Sequence, residues 1–219
     1  MKRARVPETD SGIQGAACVE IYDAFARNMR DKGYHPVKEY ISRGLSGGAA
    51  LEIGPGPGYI GLEWLRACPG TTLTGLEIST DMISVAKRNA HQYGLDGRAC
   101  YVEGNSMRMP FKDNSFDCAF SNGSLHEWEK PELVFAEIIR VLKPGGMFCV
   151  TDLRRNVGLL ARFFGLASAR PRAIRQGFQS SLNASYTAAE IEKILHEVGI
   201  HAKAEEGFMD LSVVGQRES

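Results

Sequence analysis

The sequence predicts an α/β fold: a Rossmann-like, doubly wound mixed sheet of about seven strands, mostly parallel, with an antiparallel C-terminal strand. Three observations carry this. A short apolar run, Ala49–Ile53, breaks into alternate glycines, Gly54, Gly56 and Gly58, and helix-compatible sequence follows from Tyr59. Apolar strand-like runs then alternate with helical segments as far as residue 152, the pattern of a parallel sheet covered on both faces. Near the end, strand-like runs at about 201–206 and 209–216 are separated by Gly207 and Phe208 alone, which permits a hairpin but no crossover.

Residues 1–15 are charged and polar, with Pro7, Gly12 and Gly15, and read as flexible. Val19, Tyr22, Phe25, Ala26 and Met29 recur at helical spacing, and a second helix is expected over 36–43. After the glycine turn come a helix at 59–67, a strand at 72–77 and a helix at 80–93. Ser79 or Thr80 caps that helix, and Asp81 sits in its first turn. Strands follow at 98–103 and 116–121. Pro131 opens a helix whose Val134, Ile138 and Val141 share a face, and Lys143-Pro144-Gly145-Gly146 reads as its stop before a strand at 147–152. Ile191, Ile194, Leu195 and Val198 mark the last helix. The expected organisation is one domain: 1–15 flexible, 16–47 helical lid, 48–152 core, 153–186 cap insert, and 187–219 helix and hairpin.

With 219 residues, 43% hydrophobic and 24% charged, the chain has the size and composition of one soluble globular domain. Its formal net charge of zero gives no global case for nucleic-acid or membrane binding. The five cysteines form no C-x-x-C pair and no metal-ligand spacing with the five histidines, so no metal is expected. Cys100, Cys118 and Cys149 fall in predicted strands and read as small buried apolar residues of a reduced, cytoplasmic protein. No apolar stretch follows the basic start, and none is long enough to span a bilayer.

Ligands of such sheets bind beyond the carboxyl ends of the strands, here Gly54 to Gly58, Glu77, Asn105, 121–123 and Asp152. Gly56, Gly58 and Gly61 also spell G-x-G-x-x-G, which raises a dinucleotide-binding dehydrogenase. Against it, the strand ends at Ile53, so the first glycine is Gly54, and Glu52 would place a negative charge near a pyrophosphate.

Four motifs stand in order: LEIGPGPG, Glu77 within GLEIS, EGNSMRMPFKDNSFD, and a helix ending RVLKPGG. Together they resemble the class I S-adenosylmethionine-dependent methyltransferases, in particular the small-molecule type that includes quinone-biosynthesis C-methyltransferases. The resemblance is strong over about 48–152. It implies a seventh strand inserted antiparallel between the fifth and sixth, S-adenosylmethionine as methyl donor and S-adenosylhomocysteine as product.

On that reading Gly54, Gly56 and Gly58 let the methionine portion lie against backbone, and Glu52 receives its ammonium group directly or through water. Glu77 takes the ribose hydroxyls. Asn105 and Ser106 stand where the family has Asp-Ala and read the adenine edge, while Ile78 and Met107 flank the ring. Ser121 and Asn122 lie at the strand-four end of the cofactor site. His126 is a base, a substrate orienter or a structural residue. A proline-containing grip on a planar amine is missing from this loop, which argues against nucleic-acid and protein N-methylation.

The acceptor side is assigned to Tyr22 and Phe25 on the first helix and to the insert, where Arg154 and Tyr186 are candidates. The segment 154–186 holds Arg154, Arg155, Arg162, Arg170, Arg172 and Arg175 without one acid or lysine. Such a field suits an anionic partner, or pairs with acids elsewhere. VGLLARFFGLA suits an apolar acceptor, a dimer face or a membrane surface. The expected function is methyl transfer to a small molecule. An RNA methyltransferase, a non-catalytic S-adenosylmethionine-binding module and a dehydrogenase stand as alternatives.

Overall fold

The computed structural model describes residues 4–8, 12–168 and 172–218. Its strands are β1 (Ala49–Ile53), β2 (Thr72–Glu77), β3 (Ala99–Glu103), β4 (Phe116–Asn122), β5 (Leu142–Leu153), β6 (Ala202–Glu206) and β7 (Asp210–Gln216). They form one sheet in the order β3-β2-β1-β4-β5-β7-β6. The first five run parallel, and β7 lies antiparallel between β5 and β6. The doubly wound sheet and its inserted antiparallel strand are as expected. Strand order reverses between β1 and β4, so the crevice above their carboxyl ends is the place for a ligand.

Helices α1 (Ala16–Asp31), α2 (Val37–Ser42), α3 (Tyr59–Ala67), α4 (Thr80–Gln92), α5 (Pro131–Val141), α6 (Leu159–Ser168), α7 (Arg172–Ala184) and α8 (Ala188–Glu197) complete the chain. Each sheet face carries its own core. Trp64, Tyr40 and Phe120 pack on one, with ring centroids 5.0 to 5.6 Å apart. Phe135, Ile138, Phe148 and Leu195 pack on the other. Val134, Ile138 and Val141 are all fully buried, as the spacing on α5 predicts.

Polar anchors position the elements around the crevice. The Tyr40 hydroxyl donates to the Ser121 carbonyl (2.9 Å), fixing α2 beneath the ends of β4 and β5. Trp64 Nε1 donates to the Leu45 carbonyl (2.7 Å). Buried Asp23 on α1 accepts from Asn89 Nδ2 (2.9 Å), which also donates to the Pro57 carbonyl (2.9 Å). One amide thus clips α1 and α4 to the glycine turn.

Three expectations change. Strand β5 begins at Leu142 rather than at 147: Leu142 already pairs with Phe116, the register then shifts, and Cys118 pairs with Met147. Lys143-Pro144-Gly145-Gly146 therefore both ends α5 and makes an irregular first stretch of the strand. Cys118 and Cys149 are buried but Cys100 is exposed, because β3 is an edge strand with only Tyr101 turned fully inward. Within the stretch read as flexible, 4–8 and 12–15 carry specific hydrogen bonds to the core, described below. The insert forms the helices α6 and α7, and Arg170 lies outside the described residues.

Candidate active site

The turn after β1 is built by backbone that only glycine adopts readily: Gly54, Gly56 and Gly58 have φ of 65°, 51° and 84°. At Gly54 space is decisive as well, since a Cβ there would stand 2.2 Å from Ser124 Oγ. The turn is locked to β2 by Glu77. Its Oε2 accepts from Gly56 N (3.0 Å), and its Oε1 accepts from Ile78 N (2.9 Å) and Ser79 N (3.0 Å). Burial raises this carboxyl, and those three donors pull it partly back. A carboxylate offers about four acceptor sites, so three bonds leave room for a ligand hydroxyl.

Glu52 lies beneath the turn. Its Oε1 accepts from Gly61 N in the first turn of α3 (3.2 Å), a favourable end for negative charge. Its Oε2 is buried without a hydrogen-bond partner among the described residues, and burial pushes the carboxyl up to about 8. On the other flank Ile78 is 42% exposed, as a ring platform requires. Asn105 and the partly buried Ser106 and Met107 form a turn in which Asn105 Oδ1 accepts from Met107 N (2.8 Å), keeping one lone pair spare. A glycine turn, an acid at the end of β2 with acceptor capacity to spare, an apolar platform and an orphaned inner carboxyl oxygen suit S-adenosylmethionine.

At the end of β4 the predicted residues divide. Ser121 is fully buried with its hydroxyl on the Ile53 carbonyl (2.7 Å), so its side chain ties β4 to β1. Asn122 is exposed and accepts from Thr151 Oγ1 (2.9 Å). His126 is 5% exposed in a 3-10 turn, Leu125–Glu127. Both its backbone N–H and Nδ1 meet Asp152 at the end of β5, at 2.7 and 2.9 Å. Burial opposes charge on the ring. The charge and hydrogen bond of Asp152, with Glu127 and Glu8 beyond, outweigh it and carry the imidazole up to about 9. At neutral pH it is an imidazolium, a donor and not a base.

The N-terminal residues cross this crevice. Ser79 Oγ donates to the Ile13 carbonyl (2.8 Å), and Gly15 N donates to Asp81 (2.8 Å). Val6 N donates to the Asn183 carbonyl (3.1 Å). The Arg5 guanidinium donates to the carbonyls of Ala184 (2.6 Å) and His126 (3.0 Å) and lies 4.1 Å from the Tyr186 ring centroid. Tyr22 leans over Gly56, with Phe25 at 6.0 Å between ring centroids. Burial raises the Tyr22 phenol to about 12, helped by the charges of Glu127, Asp152 and Glu77, so α1 presents its hydroxyl to the site's carboxylates.

Tyr186 is buried at this edge, but Arg154 is not part of it. Arg154 donates to the Gly207 carbonyl (3.0 Å) and pairs with Glu206 (3.1 Å), pinning the β6–β7 hairpin. Arg155 pairs with Glu190. Two of the insert's arginines therefore answer to acids elsewhere in the fold. Sequence reasoning missed Arg5, Glu8 and Glu127 altogether, and it placed Asp152 at a strand end without a role. The large open cleft lined by Arg30, Glu63, Arg66 and Tyr93 lies away from these strand ends.

Known proteins resemble this chain in sequence over its central part and in fold. The methyltransferase domain family matches residues 51–150. Botryococcene C-methyltransferase of Botryococcus braunii is 40% identical over 102 residues, 47% of this chain and 27% of that protein. Fatty-acid O-methyltransferase of Mycolicibacterium smegmatis is 33% identical over 110 residues, 50% of this chain and 39% of that protein. The chain thus spans well under two thirds of the length of these curated relatives. In fold, a S-adenosylmethionine-dependent methyltransferase from Aquifex aeolicus superposes with a TM-score of 0.72 at 20% identity, covering 94% of this chain and all of that one.

Proposed function

We propose that this chain is a class I S-adenosylmethionine-dependent methyltransferase that transfers a methyl group to a small-molecule acceptor, a reading supported by the methyltransferase-domain match over residues 51–150. The observation that carries the reading is Glu77, which locks the glycine turn and keeps an acceptor site free at the end of β2, beside the strand-order switch. Bound S-adenosylmethionine supplies a methyl group already activated on a sulfonium. The protein's own work is to bind, align and exclude water.

Glu77 takes a ribose hydroxyl, Ile78 and Met107 flank the adenine, and Asn105 with Ser106 reads its edge. The turn 54–58 admits the methionine portion, with Glu52 below it. Tyr22 and Phe25 close the site from above. His126, held by Asp152 with Nε2 turned toward Glu8 and Glu127, orders the acceptor side of the crevice and does not remove the acceptor's proton. Tyr186 forms the wall toward α7.

The acceptor is apolar in part. Leu159, Leu160 and Phe163 on α6 are 85%, 84% and 75% exposed, and relatives are named for botryococcene and for fatty acids. The same proposal puts the enzyme in the cytoplasm, supported by five unpaired cysteines. No helix among the described residues is long and apolar enough to cross a membrane. The test is incubation with S-adenosylmethionine and a panel of fatty acids, sterols and quinols, following S-adenosylhomocysteine by mass spectrometry. Turnover with one of these is expected; turnover with RNA alone, or cofactor binding with no turnover on any acceptor, overturns the reading.

A further inference from the structure

The chain brings together three potential metal ligands that its sequence keeps far apart. Glu8 lies in the N-terminal strap, and His126 and Glu127 lie in the 3-10 turn after β4. One ligand atom from each falls within 4.8 Å of the others. His126 Nε2 stands 3.5 Å from Glu8 Oε2 and 3.9 Å from Glu127 Oε1. We propose that Glu8, His126 and Glu127 bind a first-row divalent cation such as Zn2+, which pins the strap across the acceptor side of the crevice.

Geometry supports this first. A cation held at about 2.0–2.2 Å by tetrahedral ligands separates those ligand atoms by roughly 3.4 Å. The observed spacings, 3.5 and 3.9 Å from the imidazole and none above 4.8 Å, contract toward that value on binding. Glu8 is partly buried and Glu127 exposed, so both carboxylates have room to move inward.

Metal binding displaces the Nε2 proton to solvent, and the imidazole is otherwise prepared as a ligand. Its ring is nine-tenths buried, and Nδ1 is held by Asp152 at 2.9 Å. A carboxylate on the far nitrogen is the usual support of a metal-bound histidine, because it fixes the tautomer and the ring direction. Nε2 is thereby aimed at the two glutamates, and no hydrogen bond within the described residues closes on it.

Charge asks for a cation too. Glu8, Glu127 and Asp152 crowd one histidine. Among the described residues, the nearby cation Arg5 spends its donors on the carbonyls of Ala184 and His126 and lies on the Tyr186 ring. One nitrogen with two carboxylates favours zinc-like ions over Mg2+, which prefers oxygen ligands and keeps its waters. Three protein ligands leave the fourth position open.

The test uses the full chain, stripped of metal by chelator and with its exposed thiols alkylated, so that Cys18 and Cys100 cannot bind. Calorimetric titration with Zn2+ and with Mg2+ is run on the native protein, Glu8→Gln and Glu127→Gln. The expected result is one Zn2+ per chain, at least tenfold weaker in each variant, with Mg2+ at least a hundredfold weaker than Zn2+. Amide exchange gives a readout independent of affinity and turnover: Zn2+ slows exchange of residues 4–8 in the native protein and not in Glu8→Gln. Zn2+ binding only at millimolar levels, or binding and strap protection unchanged in both variants, overturns the site.

Discussion

The half of the molecule proposed to hold the cofactor and the half that covers it are built on different principles. Around β1 and β2 the site is backbone: glycines with positive φ, three N–H groups on Glu77, and an inner carboxylate on Gly61 N. The cover is side chains reaching across chain distance: Arg5 to Ala184 and Tyr186, Ser79 to Ile13, Asp23 to Asn89. Backbone cradles tolerate little variation, because a single Cβ collides. Side-chain clips can be exchanged one at a time, and there a family can change its acceptor while keeping its donor.

Breaking the cradle has the largest effect. Gly54→Val places a β-branched residue at a φ of 65° and drives its Cβ into Ser124. A loss of about 3–5 kcal/mol is expected, read by urea denaturation. A loss under about 1 kcal/mol would remove the rigid-cradle view.

Glu52 gives the cradle a pH signature. Its carboxyl titrates near 8 when folded against an ordinary 4.5, so the folded chain binds that proton more tightly than the unfolded one. Stability therefore falls as pH rises from about 5 to about 8, by an amount on the order of a few kcal/mol. Glu52→Gln flattens that slope in denaturation curves taken across the range. The same slope in both proteins contradicts the assignment.

The clips rank below. Asp23→Ala removes the buried partner of Asn89 and loosens α1, at about 2–3 kcal/mol by thermal or urea unfolding. A neutral result would mean that α1 is held by its apolar contacts alone. Arg5→Ala costs less than about 1 kcal/mol of global stability, since its contacts sit at the edge of the fold. Its mark is on the strap, where faster amide exchange of residues 4–8 is expected. Unchanged exchange sets Arg5 aside as a clip.

This division also explains what could be read from the chain. The sheet was legible because alternation, the glycine turn and the capping Ser79 are local signals, and Ser79 does cap α4 through Met82 N (3.2 Å). The place of Glu77 beside the glycine turn was legible because a strand end fixes where its side chain must go. The side chain of Ser121 was not, since strand position alone does not tell an inward hydroxyl from one facing a ligand. Arg154 misled because its partner Glu206 is 52 residues away. Glu8 gave no signal at all: a carboxylate in a polar, proline-containing stretch becomes part of a site only once the strap has crossed to His126.

The most direct test of the central claim is calorimetric titration of S-adenosylhomocysteine into the native protein and Glu77→Gln. Glutamine keeps one acceptor for the turn but loses the charge, and hydrogen bonds to a charged partner are worth about 1.5–3 kcal/mol. The account predicts saturable binding by the native chain, weakened roughly ten- to a hundredfold in a variant that still folds. Equal affinity in the two proteins, or no binding by a folded native chain, would contradict it.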